Sequence, residues 1–384
     1  MARTLLREGD ARVGFVELFY DLVFVFAITQ VSHYLLDDFT LRGALEATMI
    51  FAAVWWVWIY TTWVLNRLDP ERGPVRMLLF ALMILGLFLS MAIPGAFADR
   101  GLVFALAFAA MQLGRTAFMY WAGRGTVQIE RTYAKIGTWF IVSAVFWIVG
   151  GLASGEARLW LWLAALGVEY MGPVVAFWVP GFGRDATTDW TVKGGHMAER
   201  CGLFVIIALG ETLLIAGATF AGMDWDAPGI AAFLGNVLIP IAMWWVYFHI
   251  GHRRGTDQIE HSDDPGRIAR LSFTYAHIPI VAGVVLSAVG AERAIAHPAD
   301  IAQAGEIVSL VGGVALFLAG NGWFKRLSSQ WVPLSHVAGL ALCAGLAAAG
   351  FVLPLWLTSL LAALLLAVVA LWEHRSLAAS PQVA

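Results

Sequence analysis

The order of apolar and polar positions along the chain predicts helices and little else. Apolar runs of about 20 residues alternate with short polar stretches, and that length lets a helix cross the hydrocarbon core of a bilayer. Twelve runs can be read, at 15–36, 43–65, 75–97, 101–122, 133–153, 157–179, 197–221, 228–250, 268–291, 304–324, 331–351 and 352–373. Pro354 alone divides the last two. A membrane barrel would show short segments of alternating polarity instead, and no other architecture satisfies the backbone in lipid. The expected fold class is all-α, a polytopic integral membrane protein of about 12 transmembrane helices.

Composition agrees. Of the 384 residues 60% are hydrophobic and 13% charged, against roughly 45–50% and 25% in soluble domains. Too few charges remain to coat a soluble enzyme of this size, and a net charge of −3 gives no footprint for nucleic acid. Cys201 and Cys343 both lie in apolar runs, so neither a disulfide framework nor a thiolate zinc site is expected. The first run carries Glu17 and Asp21 and no small-residue cleavage site follows it. It therefore reads as a retained first span rather than a signal peptide.

The basic residues give an orientation. With the N-terminus in the cytoplasm, 18 of the 24 Lys and Arg fall in inner segments and only Arg42, Arg100, Arg158 and Arg293 in outer ones. Arg115 and Arg200 sit inside spans. That asymmetry predicts both termini on the cytoplasmic side of the membrane.

Self-comparison shows an internal duplication. Glu17 to Gln30 in span 1 aligns with Glu199 to Glu211 in span 7, and Trp55–Tyr60 with Trp244–His249. Asp69-Pro70 aligns with Asp264-Pro265, and the LWL and VVAFW strings of span 6 with LWL and VVALW of span 12. Residues 1–180 and 181–384 are thus expected to form two six-helix membrane repeats. An even number of spans per half makes the repeats parallel, as in transporters whose halves share an axis along the membrane normal.

Charged groups inside spans are expensive and need a partner or a cavity. Glu17 and Asp21 share one face of span 1, and Gln30 and His33 lie further along it. Gln112, Arg115 and Thr116 lie on one face of span 4; Glu169 is near the middle of span 6; His196, Glu199, Arg200 and Glu211 are in span 7. His277 and His336 add to spans 9 and 11. Depth suggests an Asp21–Arg115 pair and, in the second half, a local Glu199–Arg200 pair. Glu17, Glu199 and Arg200 sit close enough to the interface to snorkel, so structural or gating pairs are expected there. Glu211 and Glu169 have no cation at their depth, which is the chemistry of a proton relay or cation site. Asp21, Gln30, Arg115, Glu169, Glu211 and His277 form the expected solute or ion pathway, with Gln30 on the wall opposite Glu211.

Pro94, Pro173, Pro240 and Pro279 interrupt spans, and Gly86, Gly167, Gly210 and Gly217 are expected to let helices approach closely. His249-Ile-Gly-His252 resembles an aminoacyl-tRNA synthetase signature, but it ends a span and lacks that motif's soluble context. His249, His252, Glu260 and His261 match no standard metal spacing. His196 and Glu199 lack the second His of a zincin, and no Ser or Cys stands near a paired His and Asp. No catalytic residue, metal or cofactor is expected, and the chain does not read as an enzyme.

The string Glu17-Leu-Phe-Tyr-Asp21-Leu-Val-Phe-Val-Phe-Ala-Ile-Thr-Gln30 closely resembles the bacterial low temperature requirement protein A (LtrA) family. So do His196-Met-Ala-Glu199-Arg200-Cys-Gly-Leu203 and Gly210-Glu211. Tyr20 stands where Phe is more usual. The resemblance implies a bacterial integral membrane protein linked to growth at low temperature, with no settled biochemical activity. A fainter similarity joins Phe19-Tyr20-Asp21 to the Phe-Ser-Asp signature of endolysosomal potassium channels, although the second half lacks the Asp. Three readings stay open: a proton- or cation-coupled transporter of unknown solute, an ion channel with its pore between spans 1 and 7, and a non-transporting protein of cold adaptation. The expected partners are the lipid bilayer and a small solute or ion, with a homo-oligomer compatible and no nucleic acid.

Overall fold

The computed structural model describes residues 5–7, 12–249, 263–329 and 331–378. It is 82% helical, with no strand among the described residues. Among the described residues, ten helices are long and apolar enough to cross a membrane. They are α1 (Phe15–Asp37), α2 (Leu41–Leu65), α3 (Gly73–Ala92), α4 (Gly101–Ala122), α5 (Val127–Leu152), α7 (Gly194–Ala221), α8 (Ala227–Phe248), α9 (Pro265–Ala296), α10 (Ala304–Ser329) and α12 (Leu355–Ala378). Two further helices, α6 (Gly155–Val174) and α11 (Leu334–Gly350), occupy the remaining expected runs. Each falls short for a reason visible in its sequence: α6 carries Glu156, Arg158 and Glu169, and α11 has only 17 residues.

The expected sixth run to residue 179 is cut short. Pro173 sits in the last turn of α6, and Ala176 and Phe177 then turn left-handed at φ 55° and 48°. The Phe177 amide donates to the Gly172 carbonyl at 2.8 Å, and the ring is buried against Gly172. Burying that ring offsets backbone conformations that cost about 1–2 kcal/mol each.

Polarity is inverted relative to a soluble protein. Phe80, Ile84, Leu87 and Phe88 of α3 and Ile141, Val142, Val145 and Val149 of α5 are exposed, whereas Glu17, Asp21, Arg115 and Arg200 are at most 1% exposed. An apolar shell over a polar interior suits lipid as solvent.

The chain divides into two compact units, residues 1–200 with 262–267 and residues 201–261 with 268–384. In the first, α2 is the axis: it packs on α1, α4 and α6, and Trp55, Trp56 and Trp58 are wholly buried. Rings of Phe104, Phe108, Trp147 and Trp162 fill the space between α4, α5 and α6, with centroids 4.6–5.9 Å apart. Arg158, counted with the outer segments, lies in the first turn of α6. It is buried, donating to the carbonyls of Ala96, Ala98, Gly150, Gly151 and Ala153.

The second unit is held by an interlock of glycines. On α9, a Cβ at Gly283 would lie 2.4 Å from Phe317 N, and one at Gly290 2.6 Å from Leu310 N. On α10, a Cβ at Gly313 would meet Ser287 Oγ at 2.5 Å, and one at Gly320 would meet Ile280 N at 2.7 Å. Both pairs are seven residues apart, so each helix presents a smooth seam to the other. Of the glycines expected to do this, only Gly86 has a close neighbour, Val23; Gly167, Gly210 and Gly217 face open space. Pro279 leaves the Tyr275 carbonyl without its helical donor. The preceding turn answers by widening into a π-helix over Arg270–Tyr275, with Ala276 N bonded to Leu271 O at 2.9 Å.

Candidate functional site

The first unit buries two adjacent polar networks on either side of α2. On one side, Arg200 in the first turns of α7 grips Asp21 of α1: Nη1 donates to Oδ2 at 2.7 Å and Nη2 to Oδ1 at 2.8 Å. Trp58 of α2 donates its indole N–H to the same Oδ1 at 2.8 Å, and its ring lies 5.4 Å below the guanidinium. Arg200 also donates to the Glu17 carbonyl at 3.0 Å. The fork of Arg matches a carboxylate in a way Lys cannot, and this one is shielded from water on all sides.

One turn back along α1, Glu17 is wholly buried. It accepts from Arg7 Nη2 at 3.1 Å, the Gly14 amide at 2.7 Å and His196 Nε2 at 2.8 Å. Asn66, at the end of α2, exchanges two bonds with the backbone of Lys193 at 2.9 and 3.0 Å. That exchange fixes its amide orientation, so its N–H₂ faces His196 Nδ1 at 3.3 Å. His196 Nδ1 therefore accepts, and the ring is the neutral tautomer with its proton on Nε2, directed at Glu17. Arg7 also donates to the carbonyls of Leu68 and Arg12. Beside it opens a cavity of about 350 Å³ lined by Arg7, Arg12, Gly14, Asp69, Glu71 and Arg72. Arg7 and Gly14 thus line the cavity and bond the Glu17 carboxylate.

On the other side of α2, Arg115 of α4 donates to the Val57 carbonyl at 3.0 Å and to Thr61 Oγ1 at 3.0 Å. Its Nη2 donates to Gln112 Oε1, and Gln112 Nε2 donates to Glu169 of α6 at 2.8 Å. Gln112 thus relays between a buried cation and a buried carboxyl. Tyr20 joins the two networks, bonding Thr61 at 3.0 Å from the position next to Asp21. The Nε atoms of Arg115 and Arg200 are buried without a hydrogen-bond partner among the described residues.

Several expectations change here. Asp21 pairs with Arg200 and not with Arg115, because α2 packs against both α1 and α4 and gives each charge its own partners. Glu199 and Arg200 do not pair with each other; consecutive residues on a helix point about 100° apart. Glu199 is half-buried and accepts from the Val13 amide at 3.1 Å. Glu17 and Arg200 do not snorkel, both being wholly buried. Glu169, expected to lack a cation, reaches Arg115 through Gln112. Gln30 is half-buried nine residues beyond Asp21, about 14 Å along α1.

Glu211 and His277 belong to the second unit. Glu211 is buried on α7. His277 is held between the Ser272 carbonyl, to which Nδ1 donates at 2.7 Å, and the Tyr247 hydroxyl at 2.8 Å from Nε2. The same unit buries an ion pair that was not singled out in the sequence. Lys325 donates to both oxygens of Glu373, at 2.7 and 2.8 Å, and to the Val246 carbonyl. His336 stands close by and bonds Asn321 Oδ1 at 2.9 Å. Trp58, Thr61, Asn66 and Arg7 were not singled out as site residues, since each has an ordinary place in an aromatic run, a span end or a basic N-terminus. Of the cluster considered for a metal, His252, Glu260 and His261 lie outside the described residues.

The model of the family described as bacterial low temperature requirement A protein (LtrA) matches residues 12–371. An uncharacterized protein of Rhizobium meliloti (strain 1021) is 44% identical over 372 residues, spanning 96% of this chain and 90% of that protein. No solved structure matches the chain.

Proposed function

The chain belongs to the bacterial low temperature requirement A (LtrA) family, and from that premise we propose that it is a multi-pass inner-membrane transporter, proton- or cation-coupled, and not an enzyme. In this reading all twelve long helices cross the bilayer, both termini are cytoplasmic, and the halves are parallel six-helix repeats. Transport of a small solute that cells need in the cold would link the protein to growth at low temperature.

The observation that carries the reading is the pair of polar networks in the first unit. An ionised side chain at the bilayer centre costs at least about 2.5–3.5 kcal/mol, and a unit built only to fold would keep such groups out. Here Glu17, Asp21, Arg115, Glu169 and Arg200 are all buried. The cavity beside Arg7 offers an entrance from water to Glu17. Asp21 with Arg200 acts as the gate, and Glu169, wired to Arg115 through Gln112, carries the coupling proton. Glu211 is the corresponding carboxyl in the second unit.

Proteoliposomes test this. Purified protein with a pH-sensitive dye inside, given pooled small metabolites and a proton gradient, is expected to show solute-dependent proton flux. Asp21→Asn and Glu169→Gln, checked for folding by thermal melting, are expected to abolish it. Protein that moves neither protons nor metabolites removes the transporter reading; a current that needs no solute replaces it with the channel.

A further inference from the structure

We propose that His249 and His374 form a bis-imidazole site for a divalent transition metal, joining the ends of α8 and α12. The two rings come from helices far apart in sequence and meet with His374 Nδ1 2.9 Å from His249 Nε2. Both residues are exposed, so an aqueous ion can reach them. Trp245 holds them in place, its ring 5.7 Å from that of His249 and 6.3 Å from that of His374.

The geometry suits a metal. Two imidazole nitrogens bound cis to one ion, each at about 2.0–2.1 Å, stand about 2.9–3.3 Å apart depending on coordination number. The observed spacing is at the short end of that range, so binding needs the two rings to turn from facing each other to aiming at one ion, with little change in their separation. In the free protein one ring donates its N–H to the other. Metal binding needs both facing nitrogens unprotonated, and the donor ring meets that by moving its proton to its other nitrogen, so no net proton is released. His249 caps the C-terminus of α8, and His374 lies in the closing turns of α12. The negative ends of two helix dipoles therefore converge on the ion. Imidazole ligands of this kind select Zn²⁺, Cu²⁺ or Ni²⁺ over hard cations. Water would complete the coordination. Because α8 and α12 pack along their length, the ion would staple two helices of the second unit.

The test uses the full-length protein in detergent without a histidine tag, titrated with Zn²⁺ against a chelating dye. One equivalent is expected to bind, and His249→Gln and His374→Gln are each expected to weaken it at least 10-fold. His33→Gln and His297→Gln, at exposed histidines elsewhere, are expected to leave it unchanged. Zn²⁺ is also expected to raise the melting temperature of the wild type and of neither site variant, while all variants melt alike without metal. With Cu²⁺, the electron paramagnetic resonance spectrum is expected to show two coordinated nitrogens. Binding that survives either site substitution overturns the proposal, as does a spectrum with a single nitrogen.

Discussion

Arg200 Nη1 and Nη2 reach the two oxygens of Asp21 at 2.7 and 2.8 Å, across 179 residues of chain. This pair ties the start of α7 to the second turn of α1, and both side chains are shut off from water. Removing one partner of such a pair strands the other charge and costs about 3–5 kcal/mol. Asp21→Asn and Arg200→Gln are each expected to destabilise by that amount. The double variant should recover part of the loss, with an interaction energy of about 0.5–3 kcal/mol. Denaturation of the purified protein in mixed detergent measures all three.

Gln112 makes a different prediction, because its amide is oriented: the oxygen takes Arg115 and the nitrogen gives to Glu169. Glu169→Gln still offers an oxygen to that nitrogen, so the protein should fold with its melting temperature little changed. Proton flux is then expected to be lost while any solute movement that remains no longer depends on pH, since the titrating group is gone. Gln112→Leu breaks the relay while leaving both charges, and is expected to reduce transport and stability together. Flux across mildly acid to mildly alkaline pH separates the two variants.

The seam between α9 and α10 predicts opposite signs for one kind of substitution. Gly290→Ala and Gly313→Ala drive a methyl into Leu310 and Ser287, and overpacking of this type costs about 1–3 kcal/mol. Gly167→Ala and Gly217→Ala meet nothing and should gain up to about 1 kcal/mol from helix propensity. Thermal melting of the four variants checks the contrast.

Ala176 sits at φ 55° with a side chain that dislikes it. Ala176→Gly removes a penalty of about 1–2 kcal/mol and adds about 0.4–1 kcal/mol of unfolded-state entropy. A net gain of about 0–1.6 kcal/mol is expected, read as a higher melting temperature.

Much of this molecule was legible in the order of its residues. Burying apolar side chains in lipid and satisfying the backbone leave helices as the outcome for long apolar runs, so element type and approximate limits follow from local composition. The motifs at Glu17–Gln30 and His196–Glu211 carry the family resemblance for the same local reason. Which buried charges meet was not legible. Depth along a span is a one-dimensional coordinate, and it put Asp21 level with Arg115 equally well as with Arg200. Only the tertiary structure decided between them, by packing α2 with Trp58 turned to Asp21 and Thr61 turned to Arg115. The glycine seam and the meeting of His249 with His374 are of the same kind. Each depends on which helix faces stand opposite one another, and sequence periodicity gives a face without naming its partner.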